Sequence, residues 1–226
     1  AALLGAGTVG SGVYKLVKDL EEEIISKTGA RLVVDKILVR DTTKAREGIP
    51  SELLIDRWDE ILNDPQIEIV IEVMGGIRPA LTWLEEALRA GKQVVTANKD
   101  LLAEYGEQLF DAAEAGKCDL HFEAAVAGAI PIIRPLKECL AGNHMAEVMG
   151  IVNGTTNFIL TKMTQDGMEF KDALGLATEL GYAEADPTAD IEGLDAGRKV
   201  AILSSVAFNS RVVFDDVYTE GITKIT

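Results

Sequence analysis

The sequence is poor in the residues that build disulfide frameworks and metal sites. Its 226 residues include two cysteines, Cys118 and Cys139, and two histidines, and no C-x-x-C or H-x-x-x-H spacing occurs. A disulfide framework and a zinc or other transition-metal site are therefore not expected. A reducing cytoplasm is the simplest setting for so few cysteines, and we expect the protein to be cytoplasmic.

Long apolar runs and an excess of positive charge are also missing. No stretch is apolar enough to span a bilayer and no signal peptide opens the chain, so we expect no membrane partner. The formal net charge is −15 at pH 7, whereas nucleic-acid binding depends on clustered Lys and Arg. Nucleic acid is therefore not an expected partner. A nucleotide cofactor is compatible with this charge, because a few backbone amides and one or two basic residues can hold it.

What the chain does have is the composition of an ordinary globular protein. It is 47% hydrophobic and 26% charged, and its length fits one large domain or two small ones. No internal repeat or low-complexity segment occurs. The opening residues, AALLGAG, are already typical of a buried strand, so we expect the N-terminus to be clipped by a few residues.

Strand-like and helix-like segments alternate in the first half of the chain. Strands are predicted in AALLGAG, RLVVDKILVRD, IEIVIEVMGG and CDLHFEAAVAG, with a short strand through Val94 and Val95, and helices lie between most of them. This alternation predicts a parallel sheet covered by helices on both faces. Near Gly128 the pattern changes to a predicted strand in AEVMGIV followed by helices. We therefore predict two domains, 1–127 and 128–226.

The stretch GAGTVG carries the first chemical signal. Gly5, Gly7 and Gly10 form a G-x-G-x-x-G between a predicted strand and a predicted helix. There, glycines allow a tight turn, let a pyrophosphate approach the backbone, and let helix and strand pack closely. A plain glycine-rich turn is the alternative, but the position at the start of an alternating chain favours dinucleotide binding.

The end of the second predicted strand bears on which dinucleotide is bound. An acidic residue there holds the ribose 2′-hydroxyl of NAD, whereas an arginine accommodates the 2′-phosphate of NADP. Arg40 precedes Asp41, and Lys44 and Arg46 follow. The basic residues favour NADP, while Asp41 is compatible with NAD, and a solvated charged loop is the alternative.

Lys99 lies at the end of TANK, just after a predicted strand and at the carboxyl edge of the sheet. It could be an ordinary surface lysine or a lysine of the ligand site, and the sequence pattern leaves both interpretations open.

A group of carboxylates occupies GYAEADPTADIEGLDAGRK, residues 181–199. Asp195 and Lys199 lie four apart on a helix predicted to begin near Gly193, which is also the spacing of an ordinary surface ion pair. That helix continues into the apolar VAILSSVAF, so its start is expected to be half-buried, where charges need partners or a ligand. Asp186 is predicted to be a turn residue and Glu192 to face solvent. The better candidates for a cation-binding site, as against a solvated loop, are Glu184, Asp190 and Asp195.

Five segments together resemble the homoserine dehydrogenases. They are GAGTVG, VVTANK, FEAAVAGAIPIIRPLKECLAGN, GIVNGTTNFIL and GYAEADPTADIEGLDAGRKVAIL, in the same order and at similar spacing. The resemblance implies a Rossmann-type parallel sheet followed by an α+β catalytic and dimerisation domain, in a homodimer. It implies hydride transfer between NADP or NAD and C4 of L-homoserine, giving L-aspartate 4-semialdehyde, in threonine, methionine and isoleucine biosynthesis.

The resemblance also assigns roles to residues. Lys199 matches the proton-donor lysine and Lys99 a lysine close to cofactor and substrate. Glu184 and Asp195 match carboxylates that bind L-homoserine, and Asp190 a further acid of the site. The matched cofactor contacts are Gly5, Gly7, Thr8, Val9, Gly10, Arg40, Lys99 and Gly181. A sodium ion held largely by backbone carbonyls, which leave little side-chain signature, is implied at Glu123, Val126, Gly128 and Ile130.

The family normally runs on past the point where this chain stops, at VYTEGITKIT. We therefore expect a fragment of a longer enzyme that lacks the segment completing the nucleotide-binding domain. A cofactor-binding module without turnover is the alternative from another class, because such a fragment would have an open cofactor cleft. A different two-domain reductase of a small amino or aldehyde acid is a third hypothesis.

Overall fold

A computed structural model describes residues 1–226, which form two compact units, Ala1–Ala125 and Val126–Thr226. The sequence-based division lies between residues 127 and 128. No helix in either unit combines the length and the apolar character needed to cross a bilayer.

The first unit is a six-stranded parallel sheet with helices. Its strands are β1 (Ala2–Leu4), β2 (Lys36–Leu38), β3 (Leu54–Ile55), β4 (Ile69–Glu72), β5 (Gln93–Thr96) and β6 (Leu120–His121). Its helices are α1 (Thr8–Asp19), α2 (Glu21–Thr28), α3 (Asp59–Leu62), α4 (Ala80–Arg89) and α5 (Lys99–Gly116). The spatial order is β3-β2-β1-β4-β5-β6, and every neighbouring pair is parallel.

This strand order determines where a ligand can bind in the first unit. The chain leaves β1 toward β2 on one side and reaches β4 on the other, so the connections diverge between β1 and β4. Open α/β sheets bind ligands beyond the carboxyl ends of the strands at such a point. Apolar side chains that are fully buried, including Leu3, Ile37, Val70 and Val94, fix the strands beneath it.

Two strands of the first unit differ from what the sequence predicts. The strand predicted across residues 31–41 forms only at Lys36–Leu38, because its parallel partner is the three-residue β1. The two-residue β3 was not predicted, since a strand this short carries no alternation. It pairs with Ile37 and Leu38 of β2.

The second unit is helical. It contains α6 (Gly154–Asp166), α7 (Phe170–Glu179), α8 (Thr188–Ile191) and α9 (Leu194–Ala207), with a π-helical turn at Pro135–Cys139. Ile159 of α6 packs against the small side chains of Ala173 and Ala177 of α7, which let the two helices approach.

The strand predicted in AEVMGIV, residues 146–152, is not formed. This segment is non-helical and, apart from the half-buried Val152, exposed, and no other strand lies in the second unit for its backbone to pair with. Of the α+β expectation for this half of the chain, the helical part is present and the strand is not.

Candidate functional site

The glycine-rich turn between β1 and α1 has little room for side chains at two of its three glycines. Gly5 has a φ of +99°, and a Cβ there would lie 3.0 Å from Cγ of Met74. A Cβ on Gly10 would lie 2.1 Å from the carbonyl oxygen of Gly5, so the helix can approach the strand only with glycine here. At Gly7 a Cβ would meet nothing within 4 Å, so this side of the turn is open.

The start of α1 is suited to an anion. Gly7 is its N-cap residue and supplies no side-chain oxygen to the amides that follow. The first amide hydrogen bond of the helix runs from Ser11 to the carbonyl of Gly7. The amides of Thr8, Val9 and Gly10 therefore belong to the turn where a helix lacks internal partners and where phosphate groups bind.

The charged residues of the loop after β2 differ in whether they form hydrogen bonds within the loop. The Asp41 carboxylate accepts from Oγ1 of Thr43 at 2.6 Å and from its amide at 2.9 Å, and these bonds hold the pKa of Asp41 below its ordinary value. Nη1 of Arg46 donates to the carbonyls of Asp41 and Lys44. Arg40 is exposed and takes no part in these bonds. Asp41 and Arg46 thus build the loop, while Arg40 is exposed to solvent.

Lys99 is the first residue of α5, just beyond the carboxyl end of β5. Asn98 caps this helix, with Oδ1 accepting from the amide of Leu101 at 3.1 Å. The Asn98 amide donates to Oγ1 of Thr96, whose hydroxyl donates to the buried Glu72 at 2.6 Å. The position of Lys99 at this edge matches the prediction. Glu72 was not identified, because a carboxylate within IEIVIEV gives no signal in a strand pattern.

In the second unit, Asn153 connects two of the predicted acids. It is the N-cap residue of α6, and its Oδ1 accepts from the amide of Thr156 at 2.8 Å. Its Nδ2 donates to Oδ1 of Asp190 at 2.7 Å and to Oδ2 of Asp195 at 2.8 Å. Asn153 is not among the site residues predicted from the sequence. Its contacts with residues 37 and 42 positions away have no local signal.

Lys199 completes this cluster. Its Nζ donates to Oδ2 of Asp195 at 2.6 Å and to the carbonyl oxygen of Val152 at 2.7 Å. The side chains of Lys199 and Asp195 are only 17% and 9% exposed, so water screens this pair less than an ordinary surface pair. An ammonium has three donors, and the third N–H of Lys199 is not used by these two bonds.

The remaining acids of the stretch behave differently. Glu184 is exposed in the loop after α7, outside the cluster that holds Asp190 and Asp195. Asp186 accepts from the amide and hydroxyl of Thr188, as its turn prediction requires, and these bonds lower its pKa. Glu192 is exposed. The stretch is therefore partly a solvated loop and partly a shielded cluster.

Two predicted backbone sites have distinctive conformations. Gly181, just after α7, has a φ of +77°, and the carbonyl of the next residue, Tyr182, accepts from Oγ1 of Thr155 at 2.8 Å. In the segment 123–130, Ala127 and Ala129 adopt φ values of +53° and +66°, which a side chain disfavours. No group of three or more His, Cys, Asp or Glu residues could hold a metal ion.

Comparisons with known proteins agree with both units. The profile described as "Homoserine dehydrogenase, NAD binding domain" matches residues 5–123, and "Homoserine dehydrogenase" matches residues 131–226. Homoserine dehydrogenase of Corynebacterium glutamicum is 52% identical over the whole chain, which covers 51% of that protein.

Solved structures give the same result. A homoserine dehydrogenase of Thiobacillus denitrificans has a TM-score of 0.92 and 46% identity, with all of this chain and 52% of that one covered. A hyperthermophilic archaeal homoserine dehydrogenase in complex with NADPH has a TM-score of 0.84 and 27% identity, with coverages of 100% and 74%. The chain spans about half the length of the curated relatives it matches. It belongs to the homoserine dehydrogenase family.

Proposed function

We propose that the protein containing this chain interconverts L-homoserine and L-aspartate 4-semialdehyde by hydride transfer with NADP, with NAD as the alternative cofactor. Family membership and the resemblance of the whole chain support this proposal. The observation that carries the chemistry is the shielded Lys199–Asp195 pair, held by Asn153 and the carbonyl of Val152.

The nicotinamide cofactor, when bound, supplies or accepts the hydride. The glycine-rich turn and the amides at the start of α1 would hold its pyrophosphate, because a Cβ at Gly7 meets no protein atom there. Arg40 would hold the 2′-phosphate of NADP. Further cofactor contacts are proposed at the residues that the sequence resemblance implies, Thr8, Val9, Lys99 and Gly181.

Lys199 has the chemistry that the carbonyl oxygen of the semialdehyde needs. When the aldehyde carbon gains a hydride, negative charge develops on this oxygen, and a positioned ammonium stabilises it and donates a proton. The bonds to Asp195 and Val152 fix the ammonium and leave one N–H for that oxygen. In the direction of L-homoserine oxidation the neutral amine takes the hydroxyl proton back. Lys99 is proposed as a second lysine of the site.

The carboxylates suit the substrate's α-ammonium group, which needs charge-assisted hydrogen bonds. Asp190 gives only Oδ1 to Asn153, so it has acceptor capacity left for a ligand. Asp195 is the shielded acid and Glu184 the exposed one. We propose all three as substrate-binding residues, as the sequence resemblance implies.

Further proposals concern the ion, the assembly and the location. The left-handed alanines Ala127 and Ala129 change the direction of successive carbonyls, which suits a sodium ion held at Glu123, Val126, Gly128 and Ile130 largely through backbone oxygens. The resemblance supports a homodimer, and the cysteine usage a cytoplasmic setting.

Replacing Lys199 with Ala in the complete enzyme tests the proposal. We expect turnover of NADPH with L-aspartate 4-semialdehyde to fall at least about a hundredfold, the scale of losing a positioned proton donor. NADPH affinity should not change. Lys171→Ala, at an exposed lysine of α7, is the matched control and should leave turnover intact. Equal turnover of both variants would mean that Lys199 is not the proton donor and only forms an ion pair with Asp195.

The same measurements separate the two classes of function. NADPH binding without any turnover by the unmodified chain would support a binding module. Turnover with other small aldehydes, but not with L-aspartate 4-semialdehyde, would indicate a different reductase.

A further inference from the structure

Glu72, the last residue of β4, is a completely buried carboxylate that the proposed reaction does not use. Three donors converge on it. Oε1 accepts from the amides of Met74 at 2.8 Å and Gly75 at 3.2 Å, and Oε2 accepts from Oγ1 of Thr96 at 2.6 Å. Burying a charged group is costly unless its hydrogen bonds are satisfied, so its presence needs a reason beyond packing.

These bonds join two loops at the carboxyl edge of the sheet. Oγ1 of Thr96 also accepts from the backbone amide of Asn98 at 3.0 Å, and Nδ2 of Asn98 donates to the carbonyl of Gly76 at 2.7 Å. The loop Val73–Gly76 after β4 is thus held at both ends. The residue that caps α5, directly before Lys99, is held by the same network.

The loop Val73–Gly76 also packs against the glycine-rich turn. The Val73 amide donates to the carbonyl of Leu4 at 3.0 Å. A Cβ on Gly5 would lie 3.0 Å from Cγ of Met74, and a Cβ on Gly10 would lie 3.3 Å from Cγ2 of Val73. The position of Met74 and Val73 therefore sets the space around the turn that would receive the pyrophosphate.

We propose that Glu72 is a positioning residue of the cofactor site, a role that rests on the proposed function. It fixes the loop Val73–Gly76 against the glycine-rich turn, and through Thr96 and Asn98 it fixes the start of α5 with Lys99. A carboxylate is needed because all of its neighbours donate. A glutamine could still accept from the two amides, but its NH₂ would face Thr96 and deprive that hydroxyl hydrogen of its acceptor.

The test is NADPH binding to the folded protein that contains this chain, measured by calorimetry. Glu72→Gln should weaken NADPH about tenfold, the effect of losing one charge-assisted hydrogen bond. Hydrogen exchange at the Met74 and Gly75 amides should become faster. Glu68→Gln is the matched control, because Glu68 is exposed just before the other end of the same strand. It should change neither measurement.

A role in stability alone predicts a lower melting temperature with an unchanged dissociation constant of the folded protein, and that result would overturn the proposal. If Glu72→Gln does not fold, Thr96→Val decides, since it removes the hydroxyl that links Glu72 to Asn98 and keeps the Glu72 carboxylate with its two amide donors. It should weaken NADPH severalfold, and unchanged binding would again reject the role. Failure of the unmodified protein that contains this chain to bind NADPH would instead contradict the proposed function.

Discussion

Asn153 combines a helix cap with two hydrogen bonds to carboxylates, so one side chain supports three parts of the second unit. Its Oδ1 caps α6 through Thr156, and its Nδ2 donates to Asp190 and Asp195. A side-chain amide combines two donors with an acceptor without carrying charge. This is why it can stand between two acids and still cap a helix.

Asn153→Asp tests this arrangement. It preserves the cap, removes both donors and adds a third carboxylate, so the free energy of unfolding at pH 7 should fall by about 2 kcal/mol. Urea unfolding at pH 7 measures it. Asn157→Asp, on the exposed side of the same helix, should stay within about 0.5 kcal/mol. Similar losses in both variants would contradict the role.

Arg40 is the residue on which we expect cofactor preference to depend. The Asp41 carboxylate is engaged by Thr43, whereas Arg40 is exposed. Arg40→Ala should weaken NADPH about tenfold or more and NADH by less than about twofold, because only NADPH has the 2′-phosphate that a guanidinium clamps. Arg57→Ala, at another exposed arginine, is the control. Equal losses for both cofactors would remove Arg40 from this role.

At the scale of elements, two glycines of the turn between β1 and α1 allow effects on stability and on cofactor binding to be measured separately. Gly10→Ala would place a Cβ 2.1 Å from the carbonyl oxygen of Gly5, so α1 must shift. We expect it to lower the free energy of unfolding by about 1–3 kcal/mol, as overpacking does. Gly7→Ala meets no protein atom within 4 Å and should stay within about 0.5 kcal/mol.

NADPH binding should respond differently at Gly7. A methyl group there would stand where the pyrophosphate approaches the backbone, so Gly7→Ala should weaken NADPH about tenfold despite its normal stability. Thermal unfolding and calorimetric titration of both variants distinguish the two effects. Unchanged NADPH affinity in Gly7→Ala would place the phosphates elsewhere.

The elements that could be predicted from sequence are those with a strong local pattern. Helix α9 was expected near Gly193 and begins at Leu194, after a glycine with a φ of +79°. The parallel strands β4 and β5 follow from apolar runs stopped by turn residues. The strand predicted at 146–152 is absent because the second unit contains no other strand with which it could pair. Strand β3 could not be predicted because two residues are too few to show an alternation of apolar and polar side chains.

At the scale of the molecule, sequence patterns could indicate candidate site residues but not which of them contact one another. The i,i+4 spacing of Asp195 and Lys199 predicted their contact, which the structure contains. Glu72 and Asn153 could not be identified, because their partners are distant in sequence and become neighbours only once sheet and helices are formed. Long-range hydrogen bonds of buried polar groups are the part of the site that requires the fold.

The excess of acidic over basic residues is a property of the whole chain, and it affects the stability of the folded state. With 37 Asp and Glu against 22 Lys and Arg, most local ion pairs can form and still leave a formal charge of −15. Such charge destabilises a compact state by self-repulsion. Surface pairs such as Arg89–Glu85 and Lys162–Asp166 oppose this only weakly, since each contributes about 0–1 kcal/mol.

We therefore expect salt to stabilise this protein. Raising KCl from about 10 mM to about 150 mM shortens the Debye length from about 30 to about 8 Å, which screens repulsion between distant carboxylates more than attraction within contact pairs. The melting temperature should rise by a few degrees, and choline chloride should give the same rise at equal ionic strength. A larger rise in NaCl than in KCl would reflect specific sodium binding, as proposed for segment 123–130. A melting temperature that falls with KCl would mean that ion pairs, and not net charge, dominate the electrostatic free energy.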